Sequence, residues 1–239
     1  MKADVLARLQ EERAAQRPVV LLTRLTDGMQ HLWPQEDVPA ALAEAARAAL
    51  GSEEATNVTL DGETWFIHPH NPPLRIIVVG AVHIAQAMAP MADPLGFQMI
   101  VVDPRRAFAT SERLPGVSLN TDWPDEAMAV LKPDARSAVV TLTHDPKLDD
   151  PALDAALNSP AFYIGALGSR RTHARRVGRL KDLGHGDAAI ARIHAPVGLD
   201  IEAVTAPEIA LSIMAEIVAA RRGATLGAPR PVPAPAVPA

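Results

Sequence analysis

Two segments of this chain place glycine, acid and guanidinium side chains where they could hold a phosphate and the polar edge of a ring or sugar. Gly80-Ala81-Val82-His83-Ile84-Ala85 follows the apolar run 74–79 and opens a helical stretch. A helix start of this kind aims backbone N–H groups at whatever lies beyond the turn, which suits an anion. Asp103 closes the next apolar run, at the spacing where a dinucleotide site places its ribose-binding acid. However, Val82 and Ala85 stand where G-x-G-x-x-G would have its second and third glycines, and a branched valine obstructs the approach of a pyrophosphate to the backbone. Gly80 also suits a plain tight turn, and His83 either a ligand contact or packing. In Asp103-Pro104-Arg105-Arg106 the acid can accept from hydroxyl or amino groups, while the planar fork of Arg105 suits phosphate. A surface ion-pair cluster is the alternative there.

Three further segments follow strand-like runs. In Thr141-Leu142-Thr143-His144-Asp145 a His-Asp pair could serve a hydrolytic metal, but Pro146 follows and no partner cluster is identifiable. Thr143, His144 and Asp145 then read as hydrogen-bonding contacts or as loop structure. Gly165-Ala166-Leu167-Gly168-Ser169-Arg170-Arg171 joins a strand to a helix, with Ser169 a natural N-cap. Arg170, Arg171, Arg175, Arg176, Arg179 and Lys181 form a basic run in an acidic chain. Such a run is usually a solvated face, yet its first members flank an anion-ready helix start. Pro196-Val197-Gly198-Leu199-Asp200 is a turn-rich loop that could close over the same edge, with Asp200 as a polar contact. His68 and His70 share one face of an extended segment, and two imidazoles alone rarely make a metal site.

The elements that must position these residues fall into two sets. Residues 3–16 predict an amphipathic helix, 19–25 and a strand ending at Trp33 a hairpin turned at Asp27-Gly28, 38–50 an Ala-rich helix, and 57–60 with 64–68 a second hairpin turned at Asp61-Gly62. These make a small α+β domain over 1–70, with Asn71-Pro72-Pro73 as the hinge. Beyond it, apolar runs of strand length at 74–79, 97–102, 117–119, 137–142 and 161–167 are separated by helical stretches, and their continuous Ile and Val are what parallel strands between two helical layers require. The fold class is therefore α/β, a Rossmann-like doubly wound parallel sheet over 73–222, whose ligands sit beyond the carboxyl ends of the strands. Thr205 and Glu208 form a capping box for the last helix. Ile209, Ile213 and Ile217, beside Met214 and Val218, give it a stripe that reads first as core and second as a dimer seam. The proline-rich tail 223–239 is expected to be disordered.

Bulk properties narrow the function classes. The 239 residues are 48% hydrophobic, enough for a substantial core. No cysteine is present, which excludes disulfides, thiolate metal sites and cysteine nucleophiles. A net charge of -5 argues against nucleic-acid binding, which needs a broad cationic surface. The N-terminal residues lack a signal-peptide pattern, and no apolar run reaches membrane-spanning length. The expected location is the cytoplasm, with no membrane partner.

Taken in order, GAVHIA, DPRRAFATSERLPG, TLTHDPKLDDPAL, FYIGALGSRRTHARR and HAPVGLDI followed by TAPEIALSIMAEI resemble the C-terminal domain of the XdhC/CoxI family over about 73–222. That family comprises molybdenum-cofactor chaperones serving xanthine dehydrogenase and carbon monoxide dehydrogenase type molybdenum hydroxylases. The resemblance implies a protein that binds molybdopterin, the cytidine dinucleotide form included. It would shield the cofactor while a cysteine desulfurase supports its sulfuration and deliver it to an apo-molybdoenzyme, as an assembly factor and not a catalyst. It also implies a homodimer. Two features depart from the family: GAVHIA stands where many members read GAGHVG, and residues 1–70 lack the GSxPRxxG-like stretch of longer members.

The expected ligand contacts are Gly80, His83, Asp103, Arg105, Thr143, His144, Asp145, Gly168, Ser169, Arg170, Arg171 and Asp200. Arg105, Ser169, Arg170 and Arg171 would take phosphate, and Asp103, His144 and Asp145 ring or sugar groups. An NAD(P)-dependent oxidoreductase and a nucleotide-sensing module are the alternatives. No Tyr-Lys couple is evident for the former.

Overall fold

A computed structural model describes residues 2–224 of the chain; the expected disordered tail falls almost entirely outside them. The chain divides into two compact units between Pro73 and Leu74.

The first unit runs α1 (Ala3–Ala14), β1 (Val19–Arg24), β2 (Gln30–Trp33), α2 (Ala40–Ser52), β3 (Thr56–Leu60) and β4 (Glu63–His70). Its strands form an antiparallel sheet in the order β2-β1-β4-β3. The unbroken run Val19-Val20-Leu21-Leu22 is buried because each face of central strand β1 meets a helix. Val19 and Leu21 pack with Val5 and Leu9 of α1, and Val20 and Leu22 with Leu42, Ala46 and Ala49 of α2. The β3–β4 turn, Asp61-Gly62, has φ of 50° and 81°, the two positive values a tight two-residue hairpin needs.

The second unit runs β5 (Leu74–Val79), α3 (His83–Ala92), β6 (Phe97–Val102), β7 (Ser118–Asn120), α4 (Pro124–Leu131), β8 (Ser137–Thr141), α5 (Pro146–Leu157), β9 (Tyr163–Ala166), α6 (Arg170–Asp182), α7 (Asp187–Ile190), β10 (Ile193–His194) and α8 (Ala206–Arg221). Its sheet is ordered β10-β9-β8-β5-β6-β7, with every pair parallel. The chain starts mid-sheet, winds outward through β6 and β7, then returns beside β5 and winds the other way. This is the doubly wound order, and β5 and β8 flank its switch point.

Alternate strand residues serve the two faces. Ile76, Val78, Val101 and Val140 pack with α3 and α8, while Ile77, Val79, Val102 and Val139 pack with α4, α5 and α6. In α8, Ile213, Met214 and Ile217 are buried in that first core, with Ile209 and Val218 partly buried against it. The stripe is thus core, which leaves it unable to serve as a dimer seam. The expected capping box is present: Glu208 N donates to Thr205 Oγ1, and Thr205 N donates to Glu208 Oε2 at 2.8 Å. Strand β10 is only two residues long and has no counterpart among the apolar runs of the sequence.

Candidate anion and ligand site

The loops after β5, β6, β8, β9 and β10 leave the same edge of the parallel sheet, where open α/β sheets hold ligands. Two glycines let them touch. Gly80 has φ +116°, and a Cβ there would lie 2.7 Å from Thr143 Cγ2, so the loops after β5 and β8 meet across the switch point. Gly168 has φ +132°, and a Cβ there would lie 3.1 Å from Thr172 Cγ2 and 3.6 Å from His144 Nδ1. A side chain at position 80 would push these two loops apart, and one at position 168 would crowd Thr172 in the first turn of its own helix.

Three carboxylates set beneath the loops hold them by their backbone. Asp103, fully buried, accepts from Ala81 N at 2.8 Å and Arg105 N at 3.0 Å. It also accepts from Arg105 Nε at 2.9 Å and Nη2 at 2.8 Å. Burial alone would raise its pKa, but the Arg105 guanidinium and these amides hold it below its ordinary value. Asp149, also buried, accepts from Thr143 N and Oγ1 at 3.3 and 2.6 Å and from His144 N at 3.1 Å. Here burial outweighs the Thr143 hydrogen bond and the nearby Arg176, and the pKa is raised. Glu216 of α8 accepts from Tyr163 Oη at 2.5 Å and Gly198 N at 2.7 Å. Its other oxygen lies 3.0 Å from His194 Nδ1, and the His194 ring packs on Tyr163 with centroids 4.6 Å apart. Burial opposes ionisation of Glu216, but His194, Tyr163 and Gly198 together lower its pKa.

The basic run of α6 divides into two groups. Arg176, buried, donates to Leu167 O at 2.9 Å and lies 3.6 Å from Asp149. Arg179 pairs with Asp150, and Lys181 with Asp187 at 2.8 Å. Arg170, Arg171 and Arg175 are exposed and enter no ion pair among the described residues. Three uncompensated guanidiniums therefore cluster in the first two turns of a helix whose N-terminus already favours anions. Ser169 caps that helix, accepting from Thr172 N at 3.2 Å.

Several expected contacts are spent inside the protein. The sequence assigns Asp103 to ring or sugar groups and Arg105 to phosphate. In the structure the two pair with each other, because a carboxylate buried at a strand end needs charge compensation within reach, and the Arg105 side chain stays 41% exposed. The Thr143 hydroxyl donates to Asp149, Asp145 caps α5 by accepting from Lys147 N at 3.0 Å, and the Ser169 hydroxyl serves α6. His83, His144, Arg170, Arg171 and Asp200 remain exposed at loop or helix-start positions. No group of three or more His, Asp or Glu able to hold a metal occurs among the described residues. The rings of His68 and His70 lie 4.3 Å apart without such a third ligand.

Sequence reasoning missed Asp149, Arg176, Tyr163 and Glu216, the groups beneath the loops. One signal was available: Glu216 is the lone charge in a stretch from Ile209 to Ala220 that is apolar but for Ser212, where a charge needs partners.

Fold and site define a Rossmann-type domain with an anion-receptive helix start at the edge of its second half. Residues 76–217 match the XdhC Rossmann domain model, more than half of the chain, and the chain belongs to that family. It is 34% identical over 162 residues to the uncharacterized protein YqeB of Escherichia coli, covering 68% of this chain and 30% of the relative. To the molybdenum cofactor insertion chaperone PaoD of Escherichia coli it is 33% identical, covering 63% and 41%. To a probable xanthine dehydrogenase subunit of Bacillus subtilis it is 32% identical, covering 66% and 46%. The chain thus spans less than half the length of these curated relatives. A solved structure described as a xanthine dehydrogenase from Bacillus halodurans shares the fold, with TM-score 0.69 and 22% identity over 93% of this chain and 65% of that one. Among the described residues, no helix is long and apolar enough to cross a membrane.

Proposed function

We propose that this protein is a molybdenum-cofactor chaperone: it binds a molybdopterin-type cofactor through its phosphate and hands it to an apo-molybdoenzyme of the xanthine dehydrogenase or carbon monoxide dehydrogenase type. The observation that carries this reading is the set of uncompensated guanidiniums of Arg170, Arg171 and Arg175 at the start of α6, in a chain of net charge -5. They fit a phosphate-bearing cargo, with Gly168 leaving room for its approach. The names of PaoD and of the Bacillus subtilis relative support the class of cargo and of recipient. The cargo supplies the molybdenum chemistry of the recipient enzyme; this chain binds, orients and shields it. With no cysteine in the chain, sulfur for the cofactor comes from a partner, a cysteine desulfurase in this reading. The protein acts in the cytoplasm as an assembly factor, and as a homodimer joined elsewhere than at the buried stripe of α8.

The oxidoreductase reading loses ground at Asp103. Both oxygens of the expected ribose acid are occupied, and Ala81 N–H, the first amide of the turn, is spent on one of them.

The test is cofactor retention. The protein is purified anaerobically from a molybdenum-replete host, oxidised, and its extract assayed for fluorescent pterin and for molybdenum. Near-stoichiometric pterin that falls at least tenfold in R170A/R171A supports the reading. Absence of pterin together with micromolar NADH binding would replace it with the dehydrogenase.

A further inference from the structure

The two halves of the sheet are not equivalent as binding surfaces. Over β5–β7, Ala81 N–H and both oxygens of Asp103 are taken and Arg105 lies along the acid. Over β8–β10 the edge is open. A cavity of about 420 Å3 lies between the loop 196–203 and α8, within the size range of small-molecule sites. Leu167, Val197 and Ile209 give it apolar walls, and Arg170 brings a positive charge and Asp200 and Glu202 negative ones to its lining.

The loop that forms its outer wall is firmly seated. Gly198 donates to Glu216 at 2.7 Å. It also has φ +95°, with the place a Cβ would take only 2.4 Å from Ser212 Oγ and 3.2 Å from Ile213 N. The wall therefore exists before any ligand arrives, which lowers the ordering cost of binding.

We infer that this cavity is the subsite for the ring of a phosphate ester whose phosphate lies at the start of α6, the ring being a flat heteroaromatic with an amino-bearing edge. Arg170 belongs to both places, so one ligand spans them. Apolar walls accept the faces of a flat ring, and the Asp200 carboxylate, which can only accept, meets an N–H edge. Pterins and nucleobases share that edge chemistry. The inference rests on the cofactor reading above and adds where the ring lies.

The experiment titrates the full chain with 6-hydroxymethylpterin monophosphate, CMP and inorganic phosphate, using wild type, Asp200→Ala, Ala203→Phe and R170A/R171A. Thermal melting checks that each variant is folded. Asp200→Ala and Ala203→Phe, which places a bulky group on the lining, should each weaken the ring-bearing ester at least tenfold. Inorganic phosphate should stay within twofold of wild type in both variants. A tighter pterin ester assigns the subsite to pterins, and a tighter CMP to nucleotides. Ester binding that R170A/R171A abolishes but Asp200→Ala and Ala203→Phe leave within twofold would overturn the subsite alone. Failure of both esters to bind wild type would overturn the cofactor reading with it. Should Ala203→Phe not fold, the exposed Asp200→Ala decides the matter.

Discussion

Asp149 and Arg176 meet 3.6 Å apart beneath the candidate site, each side chain only 2% exposed. Asp149 holds the backbone of Thr143 and His144, and Arg176 holds Leu167 O. The loops after β8 and β9 are thereby tied to one buried ion pair. Arg176→Met should leave the carboxylate uncompensated and cost about 3–5 kcal/mol. Adding Asp149→Asn to it should cost less than the sum of the two single changes, since neighbours couple. Urea unfolding of the four proteins gives the cycle, and an additive result would mean that the pair does not act as a unit.

Closure of Asp103 by Arg105 predicts that NADH gives no saturable fluorescence change with the wild-type chain at up to millimolar concentration. Arg105→Ala removes two donors from a fully buried acid and should destabilise the fold by about 1–3 kcal/mol. Micromolar NADH binding by the wild type would contradict the closed first half.

Acid should loosen the loops selectively. Asp103 and Glu216 have folded pKa values below their ordinary ones. Their contribution is therefore complete above the unfolded values near 4 and is lost as pH falls through the folded values. Asp149 acts in the opposite sense: its raised pKa makes its ionisation a cost at neutral pH, relieved on protonation. Denaturant midpoints measured from pH 7 to pH 3 should fall at the acid end, and Glu216→Gln should flatten that fall. An unchanged slope would show that Glu216 titrates alike in the folded and unfolded chain.

In the first unit, burial of His70 beside His68 and Arg13 lowers its pKa to about 4, and its Nε2 has no partner among the described residues. The unfolded imidazole takes its proton near 6.5. Stability from this group is thus full above 6.5 and lost as pH falls from there to about 4. NMR titration of the His70 ring should give a midpoint near the lower value; a midpoint at 6.5 would show it solvated.

Gly198→Ala meets both a left-handed φ and the backbone of α8, and should cost about 2–4 kcal/mol. Gly28, also at positive φ but with nothing within 4 Å of its Cβ position, is the control and should cost about 1–2 kcal/mol when changed to alanine. Thermal melts of the two variants make the comparison, and equal losses would mean that the contact with α8 adds nothing.

The strands of the second unit were legible because burial on both faces leaves one pattern open to them: β5 and β6 match the apolar runs 74–79 and 97–102 residue for residue. Strand β10, two residues long, carries no period to detect. The loops that gather at the switch point were also legible, since glycine and charge after an apolar run mark strand ends. Side-chain commitments were not. Asp103 and Arg105 lie two positions apart, but nothing local says that they pair with each other, and which arginines of α6 are neutralised depends on Asp149 and Asp150, brought near by the fold. Glu216 reaches Tyr163 across 53 positions of sequence, a separation that no local pattern encodes.

Each of the three carboxylates that grip the loops accepts at least one main-chain N–H, a donor that every residue but proline possesses. Loop shape is therefore largely uncoupled from the side chains displayed at His83, His144, Arg170 and Asp200. Those positions can be exchanged, by selection or by an engineer retargeting the domain to another cargo, while the scaffold that presents them keeps its form.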